Sequence, residues 1–165
     1  MTHKNLSARI ILPEERQFYW TKLYEHFIEN VHFEDEQERD YFLGDGYRNA
    51  IEGLFELKTE PLKVYFLEEN GEYRGYCCCK TYLHEDGKCF ILEFCIDKPY
   101  RNKGLGRLFL KLVEEAEPDV EFFELNSEDA SGFWGKLGFY ESGVDEHGMK
   151  LYRKKHSKLP TPATS

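Results

Sequence analysis

The spacing of apolar residues along this chain changes near residue 60. Before it, Phe18, Leu23, Phe27 and Ile28 recur at roughly helical spacing, and Tyr19 and Trp20 widen the stripe. Pro13 followed by Glu14 and Glu15 is a favourable helix start, because a first turn does not need the N–H that proline lacks. An amphipathic helix is therefore predicted to about Asn30, preceded by a strand over residues 6–12 that Pro13 stops. A second helical region is predicted over about residues 34–56, with Tyr41, Phe42, Ala50, Ile51, Leu54 and Phe55 as inward candidates. Gly44-Asp45-Gly46 interrupts it.

From Lys63 onward the pattern is that of strands. Val64 to Leu67 and Tyr73 to Tyr82 flank Asn70-Gly71, a dipeptide suited to a two-residue hairpin turn. A second hairpin at Asp86-Gly87 leads into a strand over 88–97. Strict alternation there puts Lys88, Phe90, Leu92, Phe94 and Ile96 on one face and Cys89, Ile91, Glu93 and Cys95 on the other. A helix over 105–115 and a strand over 120–126 follow. Ser127-Glu128-Asp129 reads as a capped helix start, and 130–137 as a short helix that Gly138 ends. Tyr140 to Ser142 and Met149 to Lys154 are predicted as closing strands. Residues 1–155 are expected to form one domain, and the polar stretch 156–165, with Pro160 and Pro162, a disordered tail.

The densest candidate chemistry lies between the strand 88–97 and the helix that follows, at Lys98-Pro99-Tyr100-Arg101-Asn102-Lys103-Gly104-Leu105-Gly106-Arg107. Two glycines where a helix begins let backbone N–H groups converge at the positive end of its dipole, an arrangement suited to phosphate. Arg101, Lys103 and Arg107 add charge. A Walker loop is excluded, because one residue separates Gly104 from Gly106 and Arg107-Leu108 follows. A dinucleotide fingerprint is weak, because Phe109 stands where a third small residue belongs. What remains is R-x-x-G-x-G after a strand, or a loop whose glycines only permit a tight turn.

The R-x-x-G-x-G loop resembles the acyl-CoA loop of the GNAT superfamily of N-acetyltransferases. The string Ala130-Ser131-Gly132-Phe133-Trp134-Gly135-Lys136-Leu137-Gly138-Phe139 is similar to a second motif of that family, N-x-x-A-x-x-[LF]-Y-x-K-L-G-F. The two stand in the family's order, with a helix and a strand between them. The similarity is good over roughly residues 60–155 and is limited to element order before that.

The resemblance implies an α/β fold with a mixed, mostly antiparallel sheet of six to seven strands flanked by about four helices. A splayed parallel pair would form the acyl-CoA cleft. It implies acetyl-CoA as co-substrate, bound by Phe94, Cys95, Ile96, Arg101, Asn102, Lys103, Gly104, Leu105, Gly106 and Arg107, with Phe133, Trp134 and Lys136 from the second motif. The pantetheine arm would pair with free backbone groups of Phe94 to Ile96, and an N–H near Cys95 or Ile96 would polarise the thioester carbonyl. Two positions depart from the family. Its Asn falls at Ser127 with Asn126 adjacent, which leaves open which side chain reaches the cofactor. Its frequent Tyr, often the acid for the departing thiolate, falls at Trp134, and an indole cannot fill that role.

Transfer to an amine needs a base, since an alkyl ammonium has a pKa near ~10. Glu93, a carboxylate among apolar neighbours beside the expected acetyl site, is the candidate, because desolvation would raise its pKa. A structural ion pair with Arg74 or Lys80 is the alternative. At the level of function, the alternative to N-acetyl transfer is an inactive acyl-CoA-binding sensor or subunit of the same fold.

Composition narrows the partners. With 31 acids against 22 bases and a net charge of −9, nucleic acid is disfavoured and a cationic small molecule or peptide amine favoured. The acidic run Glu34 to Asp40 reads as a solvated helix face or, if it lines the cleft, as an attractor for ammonium groups. No apolar run approaches the ~18 residues of a membrane span, and no basic-then-apolar leader opens the chain, so a cytoplasmic location without membrane attachment is expected. The five cysteines lie in predicted strands without the spacing of a metal or disulfide framework, and buried reduced thiols are expected. A homodimer is compatible with all of this.

Overall fold

The computed structural model describes residues 5–128 and 132–158. The chain divides into two compact units, residues 11–63 and residues 1–10 together with 64–165.

The smaller unit is helical. A 3-10 turn at Pro13–Glu15 opens α1 (Arg16–Asn30), followed by α2 (Glu36–Leu43) and α3 (Asp45–Phe55). The break between α2 and α3 falls at the glycine pair the sequence indicated. Tyr19, Trp20, Leu23 and Phe27 are the buried side of α1. Trp20 Nε1 donates to Glu52 Oε1 at 2.6 Å, which satisfies the indole inside the packing. Phe27 meets Phe42 and Tyr47 edge-on, with ring centroids 5.7 and 5.8 Å apart. In the acidic run, the Asp35 side chain accepts the Glu38 N–H at 2.8 Å, and the Glu38 carboxylate accepts the Glu34 N–H at 2.8 Å. These two acids cap α2 reciprocally.

The larger unit is a seven-stranded sheet with the order β1-β2-β3-β4-β5-β7-β6. Its strands are β1 (Leu6–Ile10), β2 (Lys63–Glu69), β3 (Glu72–Tyr82), β4 (Lys88–Ile96), β5 (Phe122–Ser127), β6 (Tyr140–Val144) and β7 (Lys150–Lys155); α4 (Leu105–Ala116) joins β4 to β5, and the four-residue α5 (Phe133–Lys136) precedes β6. β4 and β5 are parallel. Asn70 and Gly71 both take positive φ, 55° and 80°, as the hairpin between β2 and β3 requires. Seven strands, one parallel pair and four helices of at least eight residues make the mixed fold expected from the sequence.

The core of this unit lies between α4 and one sheet face. Leu105, Phe109, Leu110 and Val113 of α4 pack with Tyr65, Leu67, Cys77, Cys79, Cys89, Ile91, Phe123 and Leu125. All five cysteines are free thiols, and four are fully buried. The C-terminal end of α4 is tied down by polar bonds. Tyr65 Oη donates to Glu117 Oε1 at 2.6 Å, His156 Nε2 donates to the Glu114 carbonyl at 2.7 Å, and Lys154 Nζ pairs with the Glu114 carboxylate. His156 is buried, so packing reaches into the stretch expected as tail, of which 159–165 lie outside the described residues.

Two expectations need correction. Strict alternation along β4 fails, because Cys78 pairs with Glu93 and Cys79 with Ile91, which leaves Leu92 as an extra residue in a β-bulge. After the bulge, Phe94 and Ile96 join Cys89 and Ile91 on the core face, and Glu93 and Cys95 turn to the other. Ser127 does not begin a helix; it ends β5, paired with Lys150 of β7. The expected helix start at Asp129 lies outside the described residues, and α5 is capped by Gly132 instead.

Candidate functional site

β4 and β5 pair at Lys88–Phe122, Cys89–Phe123 and Phe90–Glu124, and nowhere further along among the described residues. Beyond Phe90, β5 pairs with β7 on its other side, and β4 keeps its partner β3. The two parallel strands therefore part, two residues before the bulge. Backbone groups on the parted edge of β4 have no β5 partner, and a polar chain laid along it can be bound as an added strand would be.

The same end of β4 leads through a 3-10 turn (Lys98–Tyr100) into the loop before α4. Asn102 and Gly104 have φ of 63° and 80°, and Gly104 caps α4 from this left-handed conformation with no side-chain hydrogen bond to the first turn. A tight turn thus accounts for Gly104. It does not account for Gly106, which is helical. A Cβ built there would meet only Phe133 at 3.8 Å and Phe94 at 3.9 Å, ordinary contacts. Protein packing does not demand glycine at 106, whereas a backbone that a phosphate must approach closely does.

A cavity of about 360 Å³ opens between the parted edge and this loop. Its walls include Phe94, Cys95 and Ile96 of β4, Arg101, Asn102 and Gly104 of the loop, Leu105, Gly106 and Arg107 of α4, and Phe133 and Lys136 of α5. Eight of these eleven come from the two motifs singled out in the sequence, and the other three are the end of β4 that the resemblance placed beside them. Tyr100 and Leu137 also line it and were missed. Leu137 sat inside the quoted motif. Tyr100 likewise sat inside the quoted loop, but what fixes its ring is Arg74 of β3, stacked 4.0 Å over it.

The remaining candidates stand elsewhere. Lys103 is exposed and does not line the cavity. Asn126 Nδ2 donates to Asp145 Oδ2 at 2.9 Å, and Asp145 Oδ1 accepts the N–H groups of His147 and Met149 at 2.8 and 2.9 Å. The Met149 amide above all, with Asn126 adding to it, holds the Asp145 carboxyl below its usual range. Asn126 thereby fastens the β6–β7 hairpin, and neither it nor Ser127 lines the cavity. Trp134 meets Phe94, Phe133 and Phe139 with centroids 5.7, 5.0 and 5.4 Å apart, as part of the wall behind the cavity.

Glu93 is half-buried and pairs across to Cys78. The Tyr76 phenol lies close enough to the Glu93 carboxylate and the Cys95 thiol to feel both, and burial pushes its pKa upward. Arg74 and Lys80, named as possible ion-pair partners for Glu93, make other contacts. Arg74 binds Glu69 at 3.2 Å and Glu72 at 3.1 Å, and Lys80 Nζ sits 4.1 Å over the Tyr82 ring.

A split parallel pair beside a helix start with no side-chain cap offers backbone groups to an extended ligand and amides to a phosphate. The profile of the acetyltransferase (GNAT) family matches residues 16–139, and the chain belongs to that family, whose enzymes use acetyl-CoA as co-substrate. Solved structures agree on the fold. PaiA N-acetyltransferase from Thermoplasma acidophilum, in complex with coenzyme A, superposes with a TM-score of 0.69 at 14% identity over 92% of this chain and 99% of that one. The ribosomal-protein-S18-alanine N-acetyltransferase of Escherichia coli gives 0.58 at 12% identity over 97% and 99%. N-acetylglutamate synthase from Neisseria gonorrhoeae, complexed with coenzyme A and N-acetyl-glutamate, gives 0.62 at 12% identity over 95% of this chain and 36% of its own. No helix among the described residues is long and apolar enough to cross a membrane.

Proposed function

We propose that this chain transfers the acetyl group of acetyl-CoA directly to a primary amine of a small cationic acceptor. The observation that carries the reading is that the parted edge of β4 and the start of α4, which has no side-chain cap, open into one cavity. Acetyl-CoA supplies an activated acyl group on a thiol leaving group. The amides of Gly104 to Arg107 hold its pyrophosphate, helped by the dipole of α4 and by Lys103 and Lys136. The edge from Phe94 to Ile96 aligns the pantetheine arm, and a backbone N–H there polarises the carbonyl.

Glu93 is the base in this scheme. Its carboxylate takes the ammonium proton, directly or through a water, so that the amine can attack near neutral pH. The net charge of −9 supports a cationic acceptor over an anionic one. Free thiols throughout fit a reducing compartment such as the cytoplasm.

The test is calorimetric titration with acetyl-CoA followed by thiol release in the presence of polyamine, amino acid, aminoglycoside and peptide amines. Binding together with thiol release for at least one cationic amine is expected. Tight binding with no release for any amine would leave a module that binds acyl-CoA without transferring the acyl group.

A further inference from the structure

The charge of Arg101 invites its assignment to the pyrophosphate, yet its guanidinium is turned the other way. Nε donates to the Ile96 carbonyl at 2.7 Å, and Nη2 lies 3.5 Å from Cys95 Sγ. Its backbone N–H closes the 3-10 turn on the Lys98 carbonyl at 3.3 Å. The loop before α4 is thus fastened by one side chain to the last two residues of β4, where that strand no longer has β5 beside it.

We propose that Arg101 is a positioning residue, which fixes the Cys95–Ile96 backbone relative to the helix start and does not act as a phosphate ligand. The inference rests on the acetyl-CoA reading given above and adds a division of labour within that site. A strand edge that has lost a neighbour is free to shift, and the thioester and the pyrophosphate sit at opposite ends of the pantetheine arm. A fixed distance between edge and helix start is what lets both ends engage together. The planar fork of the guanidinium suits this use, because it holds a carbonyl and a sulfur in one fixed geometry, which an ammonium on a flexible stem cannot.

Cys95 reports on the contact. It is half-buried, whereas the other four thiols are fully buried, so it is the thiol an alkylating reagent reaches first in the folded chain. Burial raises its pKa, and the Arg101 guanidinium pulls it back down.

Three measurements test the proposal. The first is the rate of Cys95 alkylation by iodoacetamide against pH in the ligand-free protein, with Cys95→Ser as the blank. Losing the guanidinium should move the Arg101→Gln profile to higher pH and slow alkylation at neutral pH, while Lys136→Gln should not. The second is acetyl-CoA affinity at low and high salt. Arg101→Gln should bind within about threefold of wild type and keep its salt dependence, since a charge off the phosphate contributes little. Lys136→Gln should flatten that dependence. The third is thiol release at saturating acetyl-CoA, expected to fall by about tenfold or more in both Arg101→Gln and Arg101→Lys, because a misplaced edge costs turnover before affinity.

An unmoved alkylation profile together with a flattened salt dependence for Arg101→Gln would put the guanidinium on the phosphates and overturn the proposal. Full turnover in Arg101→Lys would overturn it too, since charge alone would then suffice. A wild-type chain that does not bind acetyl-CoA would remove the functional reading, while the alkylation profile would still report whether the side chain holds the end of β4.

Discussion

The two halves of β4 carry out different tasks on one strand. From Lys88 to Phe90 it is paired on both sides, and its polar groups are settled by neighbouring strands: Glu124 of β5, buried, accepts from Lys88 at 3.2 Å and from Arg153 of β7 at 2.7 Å. From Glu93 to Ile96 it is paired with β3 alone, and the partner of its final carbonyl is a side chain from the following loop. The bulge at Leu92 lies between them. The closed half has its charges paired between strands, whereas the open half has no β5 beside it, and one extra residue marks the boundary.

The comparison can be broken most severely at the cavity. Gly106→Asp has room in the fold by the contacts of its Cβ, yet it sets a negative charge where the pyrophosphate is proposed to lie. Like charges so placed cost several kcal/mol, so acetyl-CoA affinity by calorimetry should fall by about a hundredfold or more with the melting temperature nearly unchanged. Wild-type affinity in the folded variant would remove the helix start from the site.

Next in size is Glu93→Gln at the start of the open half. Its kcat/KM should drop by about 10²-fold at neutral pH, the usual contribution of a positioned base. Part of the loss should return toward pH 10, where an amine deprotonates without help. A pH–rate profile parallel to wild type would show that the base lies elsewhere.

The closed half should respond in stability and not in binding. Glu124→Gln leaves the Lys88 and Arg153 charges without their buried carboxylate. Because both partners are partly exposed, a loss of about 2 kcal/mol is expected, below the range for a fully buried pair. For a domain of this size that is about 4–8 °C in Tm by scanning calorimetry, with acetyl-CoA affinity within about threefold. A large affinity loss at unchanged Tm would erase the distinction between the halves.

The smallest effect is expected for the conservative change at Trp134, which packs behind the cavity. Trp134→Phe keeps a ring against Phe94 and should hold kcat within about tenfold, since at most one hydrogen bond of about 0.5–1.5 kcal/mol is lost. Trp134→Ala removes a contact shared with three rings and should cost about 3 kcal/mol of stability. A drop beyond about a thousandfold in kcat for a well-folded Trp134→Phe would give the indole a chemical role, because so large a loss exceeds one hydrogen bond.

Local features carried most of the fold. Pro13, Asn70-Gly71, Asp86-Gly87 and the glycine pair at Gly44 and Gly46 act on their own backbone, so the breaks they cause are written where they occur. The loop Arg101–Arg107 was legible for the same reason. What the sequence hid depended on a neighbour. Whether Glu93 shares a face with Ile91 is decided by the register of β3, through the bulge, and alternation along β4 alone points to the wrong side. Ser127 has the composition of a helix cap, but Lys150 lies opposite it and draws it into the sheet. Asn126 was weighed as a cofactor contact, and only a turn nineteen residues later shows that its amide is in use. Arg101 was read from its charge, whereas its bond to the Ile96 carbonyl depends on where the end of β4 lies.

The way α4 is fastened has a consequence for its motion. Tyr65, Lys154 and His156 secure its C-terminal end, while the first-turn amides have no side-chain cap. A helix held by more side-chain bonds at its C-terminal end than in its first turn has a gradient of opening free energy along it, low at Leu105 to Arg107 and high near Val113. In deuterium exchange the first-turn amides would then be among the fastest of the helix and the Leu110 to Val113 amides among the slowest. Occupancy of the cavity by an anion would slow the fast ones and leave the slow ones where they are.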